Sequence, residues 1–204
     1  MRGVKVWESL RELVFPRACI GCDRDGFLLC AGCVSGSAST IVSCGLEIRS
    51  CLPYAGLLRE AITEFKQGRR AFAPDLAALL LPHVETATRL VPLPTTRARR
   101  AKRGFDQTLV LARLLKRDVG LEVAELLRHV GGDAQQGRSR SERLAATGRF
   151  AARGHGAACS VPVVLFDDVR TTGASLVDAA RTLKDAGLHV THALTLAWTP
   201  KEEL

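Results

Sequence analysis

Two groups of residues in this chain have the types and spacing to do chemistry. The first is Cys19-x2-Cys22, followed after seven residues by Cys30-x2-Cys33. Two such pairs suit one tetrahedral Zn2+, because each pair offers adjacent ligand positions on a tight turn. Gly21 and Gly32 lie inside the turns, where backbone freedom helps amides point at sulfur. Four thiolates leave no open coordination position, so the expected role of the metal is structural, with folding coupled to its binding. Cys44, Cys51 and Cys159 do not repeat the spacing and are expected to pack as small apolar residues.

The second group follows the apolar run Val161-Pro-Val-Val-Leu-Phe166, which has the character of a buried strand. It continues as Asp167-Asp168-Val169-Arg170-Thr171-Thr172-Gly173-Ala174-Ser175, and a helix is expected next. Ligands of open parallel sheets bind beyond the C-terminal strand ends. Backbone N–H groups at a helix start, with Thr and Ser hydroxyls, make a cradle for phosphate. The two acids would repel a phosphate in contact; they suit sugar hydroxyls or a hydrated Mg2+. The string as a whole describes a site for a ribose 5-phosphate. An ordinary helix N-cap would account for one acid and one Thr only.

The elements that must position these groups can be read from periodicity. Residues 4–15 carry one apolar helical face ended by Pro16. Residues 19–53 show no sustained periodicity and are assigned, with that helix, to an N-terminal zinc module spanning 1–53. A larger domain is expected over 54–204. Helices are expected at 57–67 and 74–84, with a break at Gly68, and again over Gln107–Val119 and Ser175–Ala186. Strands are expected at Arg89–Leu93, Leu121–Leu126, Val161–Phe166 and Val190–Ala197. This alternation predicts an α/β fold, a parallel sheet flanked by helices.

Composition sets the outer limits. Hydrophobic residues are 47% and charged residues 25% of 204, which excludes disordered and fibrous classes. Apolar runs such as Leu76–Leu81 are far short of the roughly 20 residues of a membrane helix, and Glu8 and Glu12 interrupt any signal-like core. A cytoplasmic protein without membrane insertion is expected, where thiols stay reduced. The formal net charge is +8. Residues 97–153 hold 14 Lys+Arg and 6 Asp+Glu, which accounts for all of it. Its densest part is Arg97, Arg99, Arg100, Lys102 and Arg103. Arginine suits bidentate phosphate contacts, so an anionic partner is indicated: a diphosphate or a nucleic-acid backbone. Walker A and GxGxxG patterns are absent, so NTPase and dinucleotide readings fall away.

The stretch VVLFDDVRTTGAS resembles the signature with which type I phosphoribosyltransferases bind 5-phosphoribosyl 1-diphosphate (PRPP). Val91-Pro-Leu-Pro94, Arg97, Arg100 and Arg103-Gly-Phe-Asp-Gln107 resemble a stretch of the ComF competence family. Tyr54-x-Gly56-x2-Arg59-x2-Ile62-x2-Phe65-Lys66 resembles that family's segment ahead of the sheet. Gln135 and Arg143 match its Q…R loop, and an N-terminal four-cysteine module is its layout. Asp106 stands where that family usually has Asn, Ala146 stands where Asn is expected, and the second cysteine set is reduced to Cys44 and Cys51.

The resemblance implies a type I phosphoribosyltransferase fold. It implies that Asp167 and Asp168 hold the ribose hydroxyls and help place Mg2+, and are the candidate catalytic residues. Val169, Arg170, Thr171, Thr172, Gly173, Ala174 and Ser175 would complete the PRPP loop around the 5-phosphate. Arg97, Arg100, Arg103, Gln107 and Arg143 are candidates for the pyrophosphate or for DNA. Trp198, at a strand end, is expected to pack, and no histidine shows ligand spacing. Two function classes follow. One is a phosphoribosyltransferase with an unidentified acceptor. The other is a competence protein that handles single-stranded DNA beside DNA-uptake proteins, its PRPP pocket regulatory or vestigial. Phe105 and Phe150 are the only aromatics within 97–153, fewer than stacking on single strands usually employs.

Overall fold

A computed structural model describes residues 17–85, 89–130, 148–153 and 161–200. The helix expected at 4–15, and Gln135, Arg143, Ala146 and Cys159, lie outside the described residues. The centre is a six-stranded sheet: β1 (Ser39–Ser43), β2 (Leu46–Pro53), β3 (Arg89–Pro92), β4 (Glu122–Val123), β7 (Val163–Arg170) and β8 (Val190–Trp198). The order across it is β1-β2-β8-β7-β3-β4. β1 and β2 are antiparallel; all other neighbours are parallel. β5 (Leu127–His129) and β6 (Phe150–Ala152) form a separate antiparallel pair.

Helices cover both faces, and β7 shows why. Val164 and Phe166 point into one core, Val163 and Leu165 into the other, as alternation along a strand requires. The first core is closed by α1 (Gly56–Lys66), α2 (Ala73–Ala78) and α4 (Gln107–Val119), through Leu58, Ile62, Phe65, Leu76, Leu111 and Leu115. Phe65 meets the Phe105 ring at 5.2 Å between centroids. The second core is closed by α5 (Ala174–Asp185), through Leu176, Ala179, Ala180 and Leu183. The fold is therefore α/β, with a mostly parallel central sheet flanked by helices and a cysteine cluster ahead of it.

Three expectations need correction. The sheet begins at Ser39, well ahead of the first expected strand at Arg89. β1 and β2 fall within the cysteine zone, yet β2 pairs with β8 along Glu47–Pro53. Their two-residue turn is Cys44-Gly45, both with positive φ (48° and 72°), a hairpin turn made without the usual Asn-Gly pair. The helix expected over 74–84 stops at Ala78 and resumes as a single 3₁₀ turn, Leu81–His83. Pro82 lacks the N–H that a continued α-helix would bond back to the Ala78 carbonyl. The strand expected over 121–126 keeps only Glu122–Val123 on the sheet. The Ala124 amide donates to the Leu90 carbonyl at 3.0 Å, and the chain then leaves to pair with β6.

The cysteine segment is fastened to the sheet domain by one buried acid. Asp75 Oδ2 accepts from Leu28 N at 2.7 Å and Leu29 N at 3.1 Å, and pairs with Arg17 Nη2 at 2.8 Å. Leu29 itself is buried in the first core. Asp75→Ala leaves two amides without their acceptor and Arg17 with only the Ala71 carbonyl, and is expected to lower unfolding free energy by about 2–3 kcal/mol in urea titration. A change below about 0.5 kcal/mol would show that the segment is held by apolar contact alone.

Candidate functional site

β3 and β7 are neighbours, but the chain leaves them in opposite directions: from β3 outward through α4 to β4, and from β7 through α5 to β8. The connections cover opposite faces, so the loops at the two C-terminal ends diverge and leave a crevice. This is where an open α/β sheet binds ligands. A cavity of about 680 Å3 lies there. Its walls include Asp167 and Asp168, Thr171 and Ser175, the Leu93–Thr96 loop, and Arg99, Arg103 and Gln107.

The two acids sit at the end of β7 and alternate between faces. Asp168 is buried. Its Oδ1 accepts from the Val169 amide at 2.7 Å, and its Oδ2 meets Lys66 Nζ, from the last turn of α1, at 2.9 Å. Asp167 Oδ1 accepts from the Asp168 amide at 2.8 Å. Burial pushes the Asp167 carboxyl well above the usual carboxylate range, and the adjacent Asp168 charge adds to this; the Asp168 amide and Lys66 act the other way. The pair is an acidic floor to the cavity, with Lys66 paired to Asp168.

The loop after β7 forms a smaller concavity of about 220 Å3, bordered by Val169 through Leu176 and by Arg149. Gly173 has φ +81°, and a Cβ there would meet Ile48 Cδ1 at 2.7 Å, so glycine is required on two counts. Thr172 Oγ1 accepts from the Ala174 amide at 3.3 Å. First-turn amides of α5 have no intrahelical acceptor and carry the positive end of its dipole. Arg149 Nη1 donates to Ser175 Oγ at 2.7 Å, which brings a guanidinium to the same place. The arrangement offers amides, hydroxyls and one cation to an anion. Arg170 borders it but directs its guanidinium elsewhere, to Ser50 Oγ at 3.0 Å and Ser39 Oγ at 3.1 Å, tying β7 to the hairpin.

The arginines divide between two faces of α3 (Arg97–Arg103). Arg99 and Arg103, four apart, line the main cavity, whereas Arg97 and Arg100, three apart, border a neighbouring one. The structure thus brings Arg103 and Gln107 to the acids, but not Arg97 or Arg100. Gln107 is buried, and among the described residues its Oε1 finds no hydrogen-bond partner; the same holds for the buried Arg103 Nη1. Unpartnered buried polar atoms facing a cavity fit a polar ligand. Asp106 caps α4, accepting from Leu109 N at 3.4 Å and Thr108 Oγ1 at 2.7 Å, while its other oxygen holds Thr95 N at 3.0 Å. It fixes the Leu93–Thr96 loop against α4. Trp198 is packed, as expected: its ring lies under Arg170, and its Nε1 donates to Ser37 O at 3.3 Å.

Three contributors were not singled out from sequence. Lys66 and Arg99 sit within noted segments, but helical phase is needed to see that they face the acids. Arg149 is 18 residues ahead of Asp167, and only the fold brings it to Ser175.

The four cysteines converge apart from this cavity. The sulfurs of Cys19, Cys22, Cys30 and Cys33 all lie within 4.8 Å of one another, and Cys22 to Cys30 is 3.6 Å. Bonds of about 2.3 Å to a tetrahedral centre place thiolates about 3.8 Å apart, so the set fits one metal ion such as zinc. Cys30 N donates to Cys19 Sγ at 3.4 Å, and this amide, with that of Gly21, draws the Cys19 thiol down to about 6. Thiol contacts with Cys22 and Cys30 push Cys33 up to about 12, as one anion already in the cluster would. A Cβ on Gly21 would strike Leu57 and touch Cys33 Sγ at 3.0 Å, so the turn packs directly on α1. Cys51 is buried in the first core; Cys44 is exposed at the hairpin turn.

The fold and site together define an α/β protein with an acid-floored, polar cavity at the sheet crossover and a four-cysteine cluster apart from it. The chain is similar to the competence protein ComFC of Bacillus subtilis (strain 168), 29% identical over 145 residues, which cover 68% of this chain. The match covers 58% of that protein's length. No protein-family model matches the chain.

Two outcomes follow from the geometry. Elemental analysis should find about one zinc per chain, and Cys30→Ser should lose it together with much of the thermal stability. The raised Asp167 carboxyl means that the native state holds a proton that the unfolded chain releases at lower pH. Its contribution therefore turns unfavourable as pH rises from the unfolded carboxylate range through the native value. Asp167→Asn is expected to raise the melting temperature at pH 7 and to leave it unchanged near pH 3.5. Equal shifts at both pH values would show that the carboxyl is not strained.

Proposed function

We propose that this protein binds PRPP and transfers its phosphoribosyl group to an acceptor, within a competence-related role. The observation that carries the reading is the convergence, at one crossover crevice, of a strand-end acid pair with a hydroxyl-rich loop opening α5. In this reading Asp167 and Asp168 take the ribose hydroxyls, and Thr171 to Ser175 with Arg149 take the 5-phosphate. The Leu93–Thr96 loop, Arg99 and Arg103 face the diphosphate, and Gln107 Oε1 accepts from a donor on the bound ligand. The fold then corresponds to that of type I phosphoribosyltransferases.

Glycosyl transfer develops positive charge on the ribose and negative charge on the departing diphosphate. Arg99 and Arg103 oppose the second, and the buried acids the first. In this reading Asp167 and Asp168 would hold a Mg2+ ion through their carboxylate oxygens. When bound, Mg2+ would help neutralise the diphosphate. Lys66 pairs with Asp168 before ligand arrives and holds it oriented.

The likeness to a competence protein also favours a second reading, in which the protein handles single-stranded DNA and the PRPP pocket is regulatory. Acceptor screening for pyrophosphate release separates the two.

PRPP with Mg2+ is expected to raise the melting temperature by several degrees at a ligand concentration about a hundred times Kd. Asp168→Asn or Thr172→Ala should abolish the rise. Absence of any shift at millimolar PRPP in the wild-type protein would overturn PRPP binding, whatever the transformation phenotype.

A further inference from the structure

The main cavity does not absorb the arginines that α3 turns away from it. Arg97 and Arg100 border a second cavity of about 370 Å3, on the far side of the Leu93–Thr95 loop. This lies within the roughly 300–1,000 Å3 of small-ligand pockets. Its opposite wall carries Arg128 and Arg153. These two belong together by strand geometry. Arg128 pairs with Ala151 across β5 and β6, and Arg153 lies two residues beyond Ala151, so both side chains leave the same face. Arg97 and Arg100 share a helical face in the same way. Two arginine pairs from separate elements thus flank one concavity.

The acids in its walls do not balance them. Asp106 spends both oxygens on Thr95, Thr108 and Leu109, and Glu125 pairs with Arg113 at 3.2 Å. Arg100, Arg128 and Arg153 make no side-chain hydrogen bond or ion pair among the described residues. Three unengaged guanidinium forks, Arg100, Arg128 and Arg153, around a pocket whose carboxylates are already paired match an anion with several phosphate oxygens.

We propose that this second cavity is a separate binding site for a small polyanion carrying two or more phosphate groups. It shares only the Leu93–Thr95 loop and His129 with the main cavity. An occupant would press on the outer side of the loop that, on the inner side, faces the proposed diphosphate. The site does not depend on PRPP being the main ligand.

The test is calorimetric titration of inorganic triphosphate, without Mg2+ and at low salt, into the Thr172→Ala protein, whose main phosphate cradle is impaired. Binding is expected there, and Arg128→Gln/Arg153→Gln should weaken it at least tenfold. Both arginines are exposed and unbonded, so the double variant should fold. Its melting temperature checks this, and in the otherwise wild-type protein the double substitution should leave the Mg2+–PRPP shift in place if PRPP binds at all. Triphosphate binding that ignores the double substitution, or that disappears in Thr172→Ala alone, would overturn the proposal. A thymidine decanucleotide titrated in parallel separates the sources of phosphate. Tighter triphosphate binding assigns a free ligand, and tighter oligonucleotide binding by the same arginines assigns a nucleic-acid backbone. Loss of PRPP binding with triphosphate binding intact would sink the main-site reading alone.

Discussion

Adjacent carboxylates at the end of a buried strand repel each other and must give up most of their water. Around Asp167 and Asp168 that cost is met from two sides. Strand alternation sends the residues to opposite faces, so each draws on different neighbours. Asp168 takes the Val169 amide and the Lys66 ammonium, while Asp167 takes the Asp168 amide and remains hard to ionise. The placement of α1, whose last turn delivers Lys66, and the length of β7, which carries the acids past its apolar run, both answer to this pair. Binding sites commonly hold such locally unfavourable charge, offset by the stability of the surrounding core.

The rest of the crevice is built by short devices that fix backbone rather than by large buried area. Asp106 joins the Leu93–Thr96 loop to α4, and Thr108 Oγ1 closes the same corner on the Leu93 carbonyl at 2.6 Å. Gly173 lets the chain turn from β7 into α5 where any side chain would meet Ile48. Arg170 reaches from the same strand to the hairpin. A site held this way is preorganised on rigid elements, and the loops carry little freedom of their own.

Much of this was legible in the sequence because it is local. The paired cysteine spacing, the apolar run into Asp-Asp, and the Thr-Thr-Gly turn are each contained within a few residues, and the structure keeps each as a unit. What the sequence hid depends on phase and distance. Arg97, Arg100 and Arg103 form one cluster in the chain, yet a seven-residue helix distributes them to two cavities. Arg149 reaches Ser175 only through the fold. β1 and β2 were obscured because β1, Ser-Thr-Ile-Val-Ser, is a polar edge strand, and a cysteine stands in its turn. The pairing of β2 with β8 joins residues over 140 positions apart, a range at which periodicity carries no information.

That pairing limits how the chain can be divided. β8 is nine residues long and mostly buried, and β2 covers its outer edge. A shortened chain beginning at residue 54 would expose that apolar edge, a template for strand addition and aggregation. The cysteine segment is therefore an exchangeable module only up to the stretch between Val34 and Ser39. Recombination that replaced it wholesale would have to leave the hairpin behind, or bring a new one that fits the same neighbour.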